Sequence, residues 1–171
     1  MKLLLPLKIV ERLRHELRGR MREIGGVLVG EHVADETFRI VDISVQLSGG
    51  TAAHFVRDPV QAKAFLDEFF LRTGHAYQRF NYLGEWHSHP RFVPLPSGED
   101  CSTMLELVHD PAVGVNFAVL IIARHRLLGG VQLSATMFRR GYGPESAQVE
   151  IEGADTPARL TILKWVLQFF R

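Results

Sequence analysis

The sequence predicts an α/β (α+β) fold: a single domain spanning residues 1–171, with one mixed β-sheet sandwiched by helices. Three observations carry this. Segments with helical period alternate along the chain with short β-rich runs. The most apolar run, Val115 to Ala123, has the β-branched composition of a central strand. The chain has 171 residues, 46% of them hydrophobic, which is enough for one sizeable core without covalent staples.

The elements follow in order. Residues 8–22 place Ile9, Val10, Leu13, Leu17 and Met21 at helical spacing, and Gly25-Gly26 closes that helix. Val27-Leu28-Val29 reads as a buried strand, Phe38 to Leu47 as an alternating one, and His54-Phe55-Val56 as a short extended piece after the loop Ser48–Thr51. Asp58-Pro59 is a helix start; Ala62, Phe65, Leu66, Phe69 and Phe70 face a core, and Gly74 sits at the end. Phe80 to His89 is extended, Ser97 to His109 helical, and Val131–Phe138 and Gln148–Ile151 are further strands. Residues 157–171 close the chain as an apolar helix.

Composition excludes several classes of function. The net charge is +1, so no global basic field points to nucleic acid. Cys101 is the one cysteine, which leaves no disulfide framework and suits a reducing compartment. The run Leu3-Leu4-Leu5 is broken by Pro6 and ended by Lys8, too short for a signal peptide, and no stretch has the length of a membrane span. The expectation is a cytoplasmic protein without a membrane partner.

Chemistry concentrates in Glu85-Trp86-His87-Ser88-His89-Pro90 and Ser97-Gly98-Glu99-Asp100. Residues two apart on a strand project to one face, so His87 and His89 point together, with Glu85 on the same face and Trp86 and Ser88 on the other. Pro90 ends the strand. Asp100 falls in the first turn of the next helix, from which a carboxylate can swing back. Two imidazoles and a carboxylate form a ligand set for catalytic zinc, with a fourth position for water. A hydrolytic site also needs a base that is not a ligand, and Glu23, just before Gly25-Gly26, is the candidate.

The combined pattern resembles the JAMM or MPN-plus metallopeptidases, also called JAB domains. Their motif is a glutamate before a Gly-Gly strand, then His-x-His-Pro, a spacer and Ser-x-x-Asp. Here these are Glu23 with Gly25-Gly26, His87-Ser88-His89-Pro90, and Ser97 with Asp100. The resemblance spans residues 20 to about 140 and implies a cytidine-deaminase-like JAB/MPN fold. It implies Zn2+ held by His87, His89 and Asp100, with Glu23 as general acid and base and Ser97 donating to the oxyanion. The implied substrate is a peptide or isopeptide bond after the flexible C-terminal tail of a ubiquitin-like protein. The short chain and its His54–Pro59 segment look like stand-alone prokaryotic members that sit beside E1-like and E2-like ligases in antiviral operons. A sulfur-carrier processing peptidase and a metal-free MPN scaffold are the competing readings.

Plainer roles stand beside these. Ser97 and Asp100 have the spacing of a capping box. Glu23 could be a solvated helix-end residue. Cys101 and His109 lie eight apart on one helix, about 12 Å along its axis and too far for a thiolate–imidazole pair. His15, His32, His54, His75 and His125 have no partner spacing. Arg12, Arg14, Arg18, Arg20 and Arg22 form either a solvated face, because Glu11, Glu16 and Glu23 interleave, or a contact for an acidic partner. The loop Arg91–Pro96 is a place for substrate to dock.

Overall fold

In a computed structural model of the chain, residues 1–126 and 129–153 are described, together with the backbone of 160–162. The chain opens with strand β1 (Lys2–Pro6), passes directly into helix α1 (Leu7–Leu17), and continues as β2 (Gly25–Ala34) and β3 (Thr37–Ile43). Helix α2 (Pro59–Arg72), β4 (Phe80–Ser88) and α3 (Gly98–His109) follow. Then come β5 (Phe117–His125), β6 (Val131–Arg139), β7 (Glu145–Ser146), β8 (Gln148–Glu152) and β9 (Leu160–Ile162). The strands make one mixed sheet in the order β7-β6-β5-β4-β2-β3-β1-β8, with β9 pairing β6 beside β7. The sheet is antiparallel at β2–β3, β2–β4, β5–β6 and β6–β7, and parallel at β4–β5 and on both sides of β1.

The helices divide between the two faces, as alternation along β5 dictates. Val119, Ile121 and Ala123 meet Ile9, Val10, Leu13 and Leu17 of α1. Ala118, Leu120 and Ile122 point the other way and meet Met104 and Val108 of α3. On that second face Ala62 and Phe69 of α2 cover Val27 and Val29 of β2. The mixed sheet between helices is therefore the expected architecture. Among the described residues, no helix is long and apolar enough to cross a membrane.

Four details differ from the sequence reading. Leu3, Leu4 and Leu5, which have no period, form β1: a continuous apolar run is the mark of a strand buried on both faces between parallel neighbours. Helix α1 ends at Leu17 rather than residue 22; Gly19 takes a φ of +71° and Met21 is 59% exposed. Gly25-Gly26 opens β2 instead of closing a helix, and a Cβ on Gly25 would lie 2.8 Å from the Cβ of His87. Within the predicted last helix, Leu160–Ile162 is a strand that extends the free edge of β6; the rest of 157–171 lies outside the described residues.

A bulge in β4 aims the site. Leu28 pairs with Gly84 and Val29 with Tyr82, which leaves Leu83 as the extra residue. Gly84 has a φ of +144°, and a side chain there would strike the backbone of Val119. The bulge resets alternation: Leu83 and Trp86 join the α1 face, while Tyr82 and Glu85 share the other, their Oη and Oε1 3.5 Å apart. His87 follows on that face.

Asp42 of β3 ties α1 and α2 to the sheet by accepting from Arg12 at 2.7 Å and Arg72 at 2.6 Å. Burial pushes its carboxyl up, but the hydrogen bond from Arg72, the Ile43 N–H and the two guanidinium charges outweigh burial and hold it below its ordinary value. A depressed folded pKa stabilises above the unfolded value and is lost as pH falls through the folded one. Urea unfolding across pH should therefore show the advantage of wild type over Asp42→Asn constant above about pH 4 and shrinking below it. An advantage that persists unchanged through the acid limb contradicts this.

Candidate metal centre

The site is made where β2 begins and β4 ends. Ile24 donates its N–H to Ser88 Oγ at 3.0 Å, and Ser88 returns its own N–H to the Ile24 carbonyl at 2.8 Å. His89, one residue past the strand, donates its N–H to the Ala123 carbonyl at 3.0 Å. Glu23 is anchored by its N–H to the Thr51 carbonyl at 2.7 Å. The backbone at Glu23, Ser88 and His89 is thus held by hydrogen bonds to neighbouring segments.

Four side chains converge from these elements and from α3. The Nε2 atoms of His87 and His89 are 3.2 Å apart. Asp100 places Oδ1 3.2 Å from His87 Nε2 and Oδ2 3.7 Å from His89 Nε2, and Glu23 Oε1 lies 3.9 Å from His89 Nε2. Glu23, His87 and His89 are all buried, with one donor atom from each inside a mutual 4.8 Å. The donor chemistry fits a metal ion. The Val93 carbonyl, 3.1 Å from His89 Nδ1, can only accept, so it assigns the proton to Nδ1 and leaves the Nε2 lone pair aimed at the cluster. Burial also lowers the His89 pKa, favouring the neutral ring a metal requires.

The two carboxyls are tuned apart. Burial raises Glu23, and Asp100 adds to the rise against the lowering by His87. Burial raises Asp100 as well, but the His87 hydrogen bond and charge and the Ser97 contacts override it and hold Asp100 at about 2. The surroundings thus favour the anion at Asp100 and the protonated form at Glu23.

Ser97 is the N-cap of α3. Its Oγ accepts from the Asp100 N–H at 3.1 Å, and Asp100 Oδ2 accepts from the Ser97 N–H at 2.7 Å. The capping box predicted from spacing is real. It also fixes the Asp100 carboxylate, and a hydroxyl that accepts one bond keeps its own proton to donate.

Other residues support the site; of these Glu85 was placed on the site face by strand parity, while the contacts of Ser88, His54, Phe55 and Gln46 were not legible in the sequence. Ser88 points away from the ring cluster, as alternation requires, yet its hydroxyl holds the chain beside Glu23. His54, expected to lack a partner, sits 3.3 Å from Glu99 at the mouth of a groove of about 440 Å³. That groove runs from His87 and Asp100 between residues 54–57 and α3. Phe55 stacks on His87 with ring centroids 6.2 Å apart. Glu85 reaches into the groove and binds Arg57 Nε at 2.7 Å. The loop that carries these residues is closed by buried Gln46, which donates to the carbonyls of Ser48 and Val56 and accepts from the Asp58 N–H. Cys101 plays no such part: burial raises its thiol pKa.

Residues 8–138 match the sequence profile of prokaryotic homologues of the JAB domain. The chain belongs to this family. Among curated JAB relatives, the CD-NTase/cGAS isopeptidase of Enterobacter hormaechei is 30% identical over 131 residues, covering 75% of this chain and 69% of that protein. The 26S proteasome regulatory subunit rpn11 of Schizosaccharomyces pombe is 31% identical over 128 residues, 68% of this chain. The chain spans only 40% of that subunit's length and 47% of its Caenorhabditis elegans counterpart. The solution structure of a Desulfitobacterium hafniense protein superposes with a TM-score of 0.63 at 20% identity over 89% of this chain and 93% of its own, a likeness of fold.

Ser88→Ala tests the crossing that supports the JAB site. It leaves the buried Ile24 N–H without its acceptor, which should lower unfolding free energy by roughly 1–3 kcal/mol. A loss within about 0.3 kcal/mol, inside the additivity error of such measurements, would show that the contact does not hold the strands.

Proposed function

We propose that this JAB protein is a zinc-dependent isopeptidase in which His87, His89 and Asp100 hold the metal and Glu23 moves the proton. The observation that carries the reading is the convergence of two buried imidazoles with two carboxyls, one from the start of β2 and one from the first turn of α3. Asp100 is anchored by its capping box beside both Nε2 atoms and stays ionised. Glu23 is 2% exposed with its pKa raised, as suits a general base that must later act as an acid. Zinc bound there would supply Lewis acidity and bring the pKa of water toward neutrality.

The chain's own residues do the rest. Glu23 accepts a proton from the attacking water and returns it to the leaving amine. Ser97, whose hydroxyl accepts from the Asp100 N–H and keeps its own proton, donates to the oxygen that gains charge. The 440 Å³ groove beside His87 is where the extended tail would lie, with Phe55 and Met104 giving it apolar wall. The substrate we infer is the C-terminal tail of a ubiquitin-like protein joined to a target. The Enterobacter relative named as a CD-NTase/cGAS isopeptidase supports a conjugated target, and the E1-like and E2-like partners in an antiphage system are part of this proposal, carried by the motif resemblance. All five side chains of the motif are present and four of them, Glu23, His87, His89 and Asp100, converge, which favours an enzyme over a scaffold, and the isopeptidase relative favours a conjugate over a sulfur carrier.

Cleavage of a ubiquitin-like fusion, read with metal content, tests this. Glu23→Gln should retain zinc and lose roughly 10²–10⁴-fold in kcat, the range for a general base. Asp100→Asn should weaken zinc binding by more than the roughly 10–100-fold that losing an outer-shell partner brings. Full zinc and activity in either variant overturns its assignment.

Ser97→Gly separates cap from catalysis, because glycine caps within a few tenths of a kcal/mol of serine. Stability should hold while kcat falls by about 10²–10³. Unchanged kcat would leave Ser97 a cap alone.

A further inference from the structure

We infer that Glu85 is a binding residue for the substrate tail, its carboxylate accepting the N–H of a peptide group two or three residues before the scissile bond; this deepens the isopeptidase reading and rests on it. Glu85 lies two residues before His87 on β4, and both line the groove. Its carboxylate is held through one oxygen. Tyr82 Oη donates to Oε1 at 3.5 Å, and Arg57 Nε lies 2.7 Å from the same atom. Among the described residues, no hydrogen bond reaches Oε2. The groove is thus offered an oriented acceptor whose charge Arg57 already balances. A backbone N–H, neutral and present at every tail residue but proline, is the donor that matches it. A basic side chain fits less well, because Arg57 cancels the attraction it would feel.

The bulge at Leu83 brings this arrangement about. Without the extra residue, alternation would put Tyr82 and Glu85 on opposite faces of β4, and the phenol could not orient the carboxylate. Glu85 is 15% exposed and Arg57 35%. At that depth desolvation offsets much of the attraction between the two, so the pair adds little stability by itself. Position fixes which peptide group the carboxylate meets. Glu85 and His87 of β4 and Leu120 of β5 line the groove with α3, from Asp100 beside His87 to Asp110 at the far end. Between Asp100 and Asp110 the helix rises about 15 Å, room for four or five extended residues. A tail whose last carbonyl reaches the cluster runs in the same direction as β4. Glu85 is about 7 Å upstream of His87, and so lies beside the second or third residue before the cleaved bond.

The test uses the full chain loaded with zinc and a ubiquitin-like conjugate made by ligation, in which one tail amide at a time becomes an ester. The ester removes that N–H and keeps the shape. In wild type, kcat/KM at the scissile bond should fall roughly tenfold or more for the ester at one of these two positions, the scale of a hydrogen bond to a charged acceptor, and little for esters elsewhere in the tail. Glu85→Ala should cleave the all-amide conjugate more slowly and treat amide and ester alike at that position. Glu85→Gln, which keeps the shape and an uncharged acceptor, should show a smaller ester penalty than wild type, and it decides the matter if the alanine variant does not fold. A role confined to anchoring Arg57 would slow amide and ester conjugates equally and leave their ratio at the wild-type value. Equal ester penalties in wild type and Glu85→Gln, or no penalty at either position in wild type, would overturn the inference. So would a lysine at that tail residue that speeds cleavage by wild type but not by Glu85→Gln, because the carboxylate would then be reading side-chain charge. A wild type that cleaves no conjugate removes the isopeptidase reading, and calorimetric binding of the amide and ester tails to wild type and Glu85→Gln then decides the contact by itself.

Discussion

The reciprocal bonding of Ile24 and Ser88 is the contact on which the centre depends. These residues are 64 apart in sequence, and joining them brings Glu23 to within 3.9 Å of His89. Everything nearby presupposes that crossing. Gly25 admits the Cβ of His87, the bulge at Gly84 turns Glu85 and His87 to the α2 and α3 face, and β5 fixes His89 through Ala123. The sheet thus supplies orientation before chemistry, and the site sits on strand ends and one helix start instead of on a free loop.

The second constraint is electrostatic. Two carboxyls beside the same imidazoles would do the same job if their surroundings were alike. They are not. Asp100 sits at the N-terminus of a helix within a capping box, where N–H groups and the dipole favour the anion. Glu23 sits in the sheet layer, 2% exposed, where the proton is harder to remove. Fold position thereby favours the charged form of one carboxyl and the neutral form of the other, the contrast on which the proposed division of roles rests.

Much of this was legible in the sequence because its signals are local. His87, His89, Ser97 and Asp100 fall within 14 residues, and strand parity with helix-start rules places all four. Strand parity also put Glu85 on the site face and Trp86 in the core, where it is 0% exposed. Glu23 was legible only through the longer motif, because nothing in its own neighbourhood marks it as buried. Ser88, Gln46 and the Val93 carbonyl act through tertiary contacts with no sequence period. β1 escaped notice for the opposite reason: three consecutive leucines carry no alternation, so burial on both faces hid the strand.

The most direct measurement is anomalous diffraction at the zinc edge from crystals of the zinc-loaded protein. The account predicts one strong peak within bonding distance of His87, His89 and Asp100, with the Glu23 carboxylate close by but unbonded. A metal bound by Glu23 in place of Asp100, or seated away from this cluster, would contradict it.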